Sequence, residues 1–141
     1  MTIPPPHPQP AIDDDKAAMD VYHQLSKEDQ QKIDTMVLES AMLAAGIDHQ
    51  GQITSGRTEA QAIGVVDYLL QDQNSIDGSR INVIRELGPT TYSTAEEIHQ
   101  ALHARGTRVD PGVTDGLQPK NIDADVRTSL RFIREKGGMS M

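Results

Sequence analysis

The sequence predicts an all-α fold, or nearly so, of about six helices. Three observations predict it. Apolar residues recur with a period near 3.6 in six separate stretches. Helix-capping residues or helix stops bound those stretches. No stretch longer than three or four residues reads as a strand. The 141 residues allow one domain, or one domain with tails, and 36% hydrophobic residues allow a modest core.

Residues 1–12 hold five of the eight prolines. Proline fixes φ and lacks an N–H, so this stretch is expected to be a disordered tail. Asp13, Asp14 and Asp15 then place negative charge at the start of a first helix, where the dipole favours it. That helix runs to about Leu25, with Ala18, Val21, Tyr22 and Leu25 on one face. Ser26-Lys27-Glu28-Asp29 is a capping-box variant that opens a second helix. Ile33, Met36, Val37, Ser40, Met42, Leu43 and Ala44 carry its period to Ala45, and Gly46 is a left-handed stop. Residues 47–57 form a loop.

The third helix spans about Thr58 to Gln71 and is the most apolar segment, with Ala62, Ile63, Val65, Val66, Leu69 and Leu70. Gly64 inside it predicts a close helix crossing. Asn74 to Gly78 reads as a hinge-like turn. A fourth helix follows from about Ser79 to Leu87, closed by Gly88-Pro89. Ser93 or Thr94 caps a fifth helix with Glu96 and Glu97 in its first turn, and Gly106 ends it. Residues 107–120 form a loop. The sixth helix begins near Asp123, buries Ile122, Val126, Leu130 and Ile133, and is expected to stop at Gly137-Gly138. The organisation is a tail (1–12), an acidic helical region (13–74) and a second helical region (75–141), with the two regions able to share one core.

The net charge of −8 argues against a protein that simply coats nucleic acid. The charge is uneven. Residues 1–79 carry four Lys/Arg against thirteen Asp/Glu, and residues 80–141 carry nine against eight. The halves therefore face different electrostatic tasks or different partners.

The second half resembles a winged helix-turn-helix. The likeness lies in Ile81-Asn82-Val83-Ile84-Arg85-Glu86-Leu87, in Ser93-Thr94-Ala95-Glu96-Glu97-Ile98-His99-Gln100-Ala101-Leu102, and in the run from Val126 to Gly137. The resemblance implies a winged-helix-like three-helix unit whose last helix reads DNA. The residues add a physical reason. At 100° per residue, Arg127, Arg131 and Arg134 fall within about a 60° arc beside the apolar stripe. Such a row can sit on phosphates or enter a major groove. Lys120, with Arg105 and Arg108, would add phosphate contacts. The same row also fits a solvated face paired with Asp123, Glu135 or the acidic half.

Two weaker patterns remain. Gly46 to Thr54 resembles part of an EF-hand loop through Asp48, Gly51 and Ile53. However, Gly46 and Arg57 stand where carboxylates are needed, and calcium wants six to eight oxygens. His99 and His103 share a helix face at i,i+4 spacing, yet the chain shows no third ligand beside them, so no metal site is expected. No phosphate-binding glycine loop, nucleophile elbow or cysteine occurs.

The expectation is therefore a soluble cytoplasmic protein from a bacterium, phage or plasmid. It is a non-enzymatic accessory or regulatory protein that needs no cofactor and acts by binding, either as a monomer or as a homodimer. One candidate partner is DNA, through Arg127, Arg131, Arg134 and Lys120. The other is a basic protein, met as by an adaptor, inhibitor or secretion chaperone. Asp13, Asp14, Asp15, Asp20, Glu28, Asp29, Asp34 and Glu39 would supply the charge for it.

Overall fold

Helices form where caps and apolar period coincide. A computed structural model describes residues 11–139 except 91 and 115, with side chains described from 14 to 136, and these residues make six α-helices and no strand. They are α1 (Ala11–Gln24), α2 (Lys27–Ala44), α3 (Glu59–Leu69), α4 (Gln73–Leu87), α5 (Ala95–His103) and α6 (Ile122–Met139). A 3₁₀ turn at Pro119–Asn121 leads into α6. The proline-rich tail expected over 1–12 lies outside the described residues, except that Ala11 and Ile12 already belong to α1. The side chains of Asp13 and Met139, and Met141 altogether, also lie outside them.

The caps behave as the sequence requires. Ser26 accepts the N–H of Asp29 at the start of α2. Thr58 with Gln61, and Thr94 with Glu97, close full capping boxes on α3 and α5. Gly46 has φ +87°, and a Cβ there would lie 2.4 Å from the Ser55 side chain. Glycine is therefore required twice over at the end of α2.

Three local expectations change. Residues 74–78 are not a hinge but the first turns of α4. Asp72 caps that helix by accepting the Ser75 N–H at 2.7 Å, and Ile76 is fully buried. Those hydrogen bonds hold the Asp72 carboxyl below its usual range. The sixth helix does not stop at Gly137-Gly138 but runs through them to Met139. Gly64 marks no crossing, because a Cβ there would meet nothing within 4 Å.

The helix order in space explains the core. α2 packs on both α3 and α4. α1 covers α4, α6 covers α3, and α5 bridges α4 to α1 and α2. One cluster of buried side chains joins Ile33 and Leu38 (α2), Ile63 (α3), Ile84 (α4), Ile98 and Leu102 (α5) and Leu130 (α6). Both halves of the chain thus contribute to a single core. Of the helices that resemble a winged helix in sequence, α6 has α3 as its chief partner, and α4 has α1 and α2.

Several carboxylates of the acidic half find their partners inside the molecule. Asp34 of α2 accepts Arg80 Nε at 2.8 Å and Nη2 at 2.9 Å, and the Tyr22 hydroxyl at 2.9 Å. Arg80 also reaches Asp77 at 2.9 Å and lies 4.7 Å from the Tyr22 ring centroid. Asp15 pairs with Arg85, Asp14 accepts the Tyr92 hydroxyl, and Glu39 accepts the backbone N–H groups of Arg108 and Val109. Carboxylates of the acidic half therefore stitch the second half onto it.

Candidate functional site

The arginines of α6 share its outer side, as their spacing predicts, but two of the three are engaged within the molecule. Arg127 Nε donates to Asp123 Oδ1 at 2.7 Å, one turn back on the same helix. That bond and that charge raise the Arg127 pKa further. Arg134 donates through Nε and Nη2 to the Gly51 carbonyl, at 3.0 and 2.6 Å, and through Nη1 to Glu59 at 2.8 Å. It is a strut from α6 to the 46–54 loop and to the start of α3. Arg131 is exposed and makes no hydrogen bond or ion pair among the described residues. Lys120 is exposed in the 3₁₀ turn.

The acidic residues are similarly divided. Asp34 is buried against Arg80, Asp29 is buried and meets His99, and Glu39, Asp14 and Asp15 hold the contacts given above. Asp20 pairs with Lys16 on the surface of α1 at 3.8 Å. Glu28 is exposed in the first turn of α2. Of these carboxylates, Asp34 and Asp29 are buried, while Asp20 and Glu28 stay at the surface. In the 46–54 loop, Asp48 Oδ1 accepts the N–H groups of Gln50 and Gln52, both at 2.9 Å, while Ile47 and Ile53 bridge across the loop. The backbone takes the oxygen that an EF-hand would turn toward calcium.

Two features were not legible as sites in the sequence. The first is the outer side of α3. Ala62, Ile63 and Val66 point inward, joined by Leu70 just past the helix end. Val65 is half-buried, Leu69 is exposed, and Tyr68 is 69% exposed. Leu69 and Val65, apolar residues of the most apolar helix, therefore lie outside the fully buried core. α2 and α6 cover α3 from two sides and leave its third side open. There, Arg57, Gln61, Gly64, Val65 and Tyr68 form a shallow groove, with the bare glycine backbone between the larger side chains.

The second feature joins α2 to α5. His99 Nδ1 lies 2.6 Å from Asp29 Oδ2. His103, one turn further along α5, packs edge-on against His99 with ring centroids 4.3 Å apart. One donor atom from each of Asp29, His99 and His103 lies within 4.8 Å of the others, and this is the metal-capable group among the described residues. Asp29 is buried, His99 is half-buried and His103 is exposed. The i,i+4 histidines were visible in sequence. The third ligand, 70 positions away, was not.

Comparison with known proteins adds no identity: no protein-family model, no curated protein and no solved structure matches this chain. Among the described residues no helix is long and apolar enough to cross a membrane.

Proposed function

We propose that the protein is a non-enzymatic binding module whose working surface is the open side of α3, and that its partner is another protein. One observation carries the reading. The most apolar helix of the sequence leaves Tyr68 69% exposed, beside an exposed Gly64 and a half-buried Val65 that line one shallow groove. Interfaces favour this make-up. Tyrosine is a frequent anchor, a bare backbone allows close approach, and Arg57 and Gln61 supply a polar rim. Covering the Tyr68 ring removes a large apolar surface from water while its hydroxyl keeps a polar handle. The burial of Asp34 and Asp29 inside the molecule favours this face over an acidic one.

Site-specific photocrosslinking in the native host tests it. A photoreactive residue at position 68 should give one discrete adduct that the same residue at exposed Gln24 does not. The partner identified from that adduct should bind the purified protein and lose binding to Tyr68→Ser. Equal labelling at both positions would end the reading.

One observation favours DNA as a second reading: Arg131 is an exposed arginine without a partner among the described residues, flanked by Arg127 and Arg134. Under it, fluorescence anisotropy would show random-sequence duplex bound at low salt and released as salt rises. The Arg127/Arg131/Arg134→Ala variant would not bind.

A further inference from the structure

We propose that Asp29, His99 and His103 bind one divalent transition-metal ion, with zinc the best-fitting ion, and that the ion clamps α5 to α2. The site is independent of the α3 face.

The donor chemistry is the first argument. Two imidazoles and one carboxylate form a set that suits zinc and its first-row neighbours, and would serve magnesium or calcium poorly. The second argument is geometry. Around a tetrahedral zinc with bonds of about 2.0–2.1 Å, neighbouring donors stand about 3.3 Å apart. Here Asp29 Oδ2 and His99 Nδ1 are 2.6 Å apart, and all three donors lie within 4.8 Å. The ion would enter between the carboxylate and the His99 ring in place of the proton of their hydrogen bond, which leaves to solvent, and the two side chains would part from 2.6 Å to about 3.3 Å. His103 is exposed, and its ring donor already lies within 4.8 Å of the other two.

The third argument is that the fixed ligands are held before any ion arrives. Asp29 occupies the third position of α2, with its N–H on Ser26 Oγ at 3.1 Å. α5 begins in its own capping box. Lys32, one turn along α2 from Asp29, donates to the Leu102 carbonyl at 2.7 Å. That bond fixes the spacing of the two helices next to the site and keeps the ammonium engaged. Solvent or a partner side chain would take the fourth position on the exposed side. Sites with three protein ligands leave such a position open.

The test uses the full chain, stripped of metal with a chelator. Cobalt(II) is titrated and read by visible absorption, and zinc is then used to displace it. The expected result is one ion per chain at micromolar metal, with the intense visible band of a tetrahedral site. His103→Ala should weaken binding by roughly tenfold or more, because one of three ligands is lost. His23→Ala, a control at an exposed histidine of α1, should not change it. Zinc should raise the melting temperature of the wild type and of His23→Ala, but not of His103→Ala. The His103 ring is at the surface, so this variant does not put folding at risk, as Asp29→Asn could. Absence of binding at micromolar metal, or equal affinity in His103→Ala and His23→Ala, would overturn the proposal.

Discussion

Asp29 and Asp34 stand on the same helix, both buried, and both meet a nitrogen base from the second half of the chain. Their surroundings separate them. Asp34 meets a guanidinium that is itself buried, and Tyr22 caps the pair. Its two oxygens accept three hydrogen bonds, so the site has no room for a ligand. Asp29 meets an imidazole that is 39% exposed, and a second imidazole stands beside it. The lesson concerns chemistry and access together. A saturated carboxylate under a cover of side chains fixes a fold. The same carboxylate beside exchangeable donors at the surface can exchange a proton for an ion.

The largest expected effect is at the saturated junction. Asp34→Ala leaves the Arg80 charge buried without its main partner and should cost about 3–5 kcal/mol in urea unfolding. Burial opposes that charge, and the hydrogen bonds and charge of Asp34 outweigh it and raise the Arg80 pKa. Adding Arg80→Met to Asp34→Ala should restore part of the loss, since no buried charge is then left without its partner, though the Tyr22 hydroxyl still lacks its acceptor. If Asp34→Ala cost no more than Asp29→Ala, the contrast between the two aspartates would be gone.

The next effect sharpens the contrast through pH. Burial and the adjacent Asp34 charge push the Tyr22 hydroxyl well above its ordinary range. In the unfolded chain tyrosine ionises near pH ~10, while the folded protein keeps the proton. Above that pH the unfolded state therefore binds fewer protons, and stability falls as pH rises. Below it the contribution is constant. Tyr22→Phe should cost about 1–2 kcal/mol at neutral pH by removing one hydrogen bond to a carboxylate. It should also flatten the loss of stability above pH ~10. An equally steep alkaline loss in Tyr22→Phe would mean that the junction is not closed around the phenol.

At the open junction the stability effect is smaller and the ligand effect larger. Asp29→Ala should cost about 1 kcal/mol or less in metal-free protein, because its His99 partner is partly exposed and water can replace the lost hydrogen bond. The same change should remove the stabilisation by zinc. An effect as large as that of Asp34→Ala would show that the Asp29 carboxylate is structural in the same sense.

The sequence made the local half of this architecture legible and the distant half illegible, for a physical reason. Ser26, Thr58 and Thr94 cap their helices through bonds that span three residues, so the pattern that encodes each bond is contiguous. The Asp34–Arg80 pair spans 46 positions and the Asp29–His99 pair spans 70. No local pattern selects those partners from thirteen acidic residues in 1–79 and eleven Lys, Arg and His in 80–141. Gly64 failed differently. Periodicity located α3 as an apolar helix but could not tell which sides neighbouring helices would cover. A glycine that looked like a crossing point is an exposed gap. At 74–78 the turn-forming composition of Asn74, Ser75 and Gly78 gave way to the Asp72 cap and the burial of Ile76.

The smallest effect extends the contrast to α6, where three arginines of one type sit in a row. Arg127 closes a bond to Asp123 within its own helix, in full contact with solvent. Arg127→Ala should leave the urea midpoint unchanged, because water replaces the carboxylate on the guanidinium and no second element is released. Arg134 reaches across to the Gly51 carbonyl and Glu59. Its removal frees the 46–54 loop from α6, so Arg134→Ala should cost about 1 kcal/mol, the net worth of a hydrogen bond or two. The two variants remove the same charge and nearly the same volume, and they differ in burial and in the distance the bond spans. Equal shifts in the two midpoints would mean that charge alone sets the effect. The separation of Asp34 from Asp29 would then need another basis than coverage by neighbouring side chains.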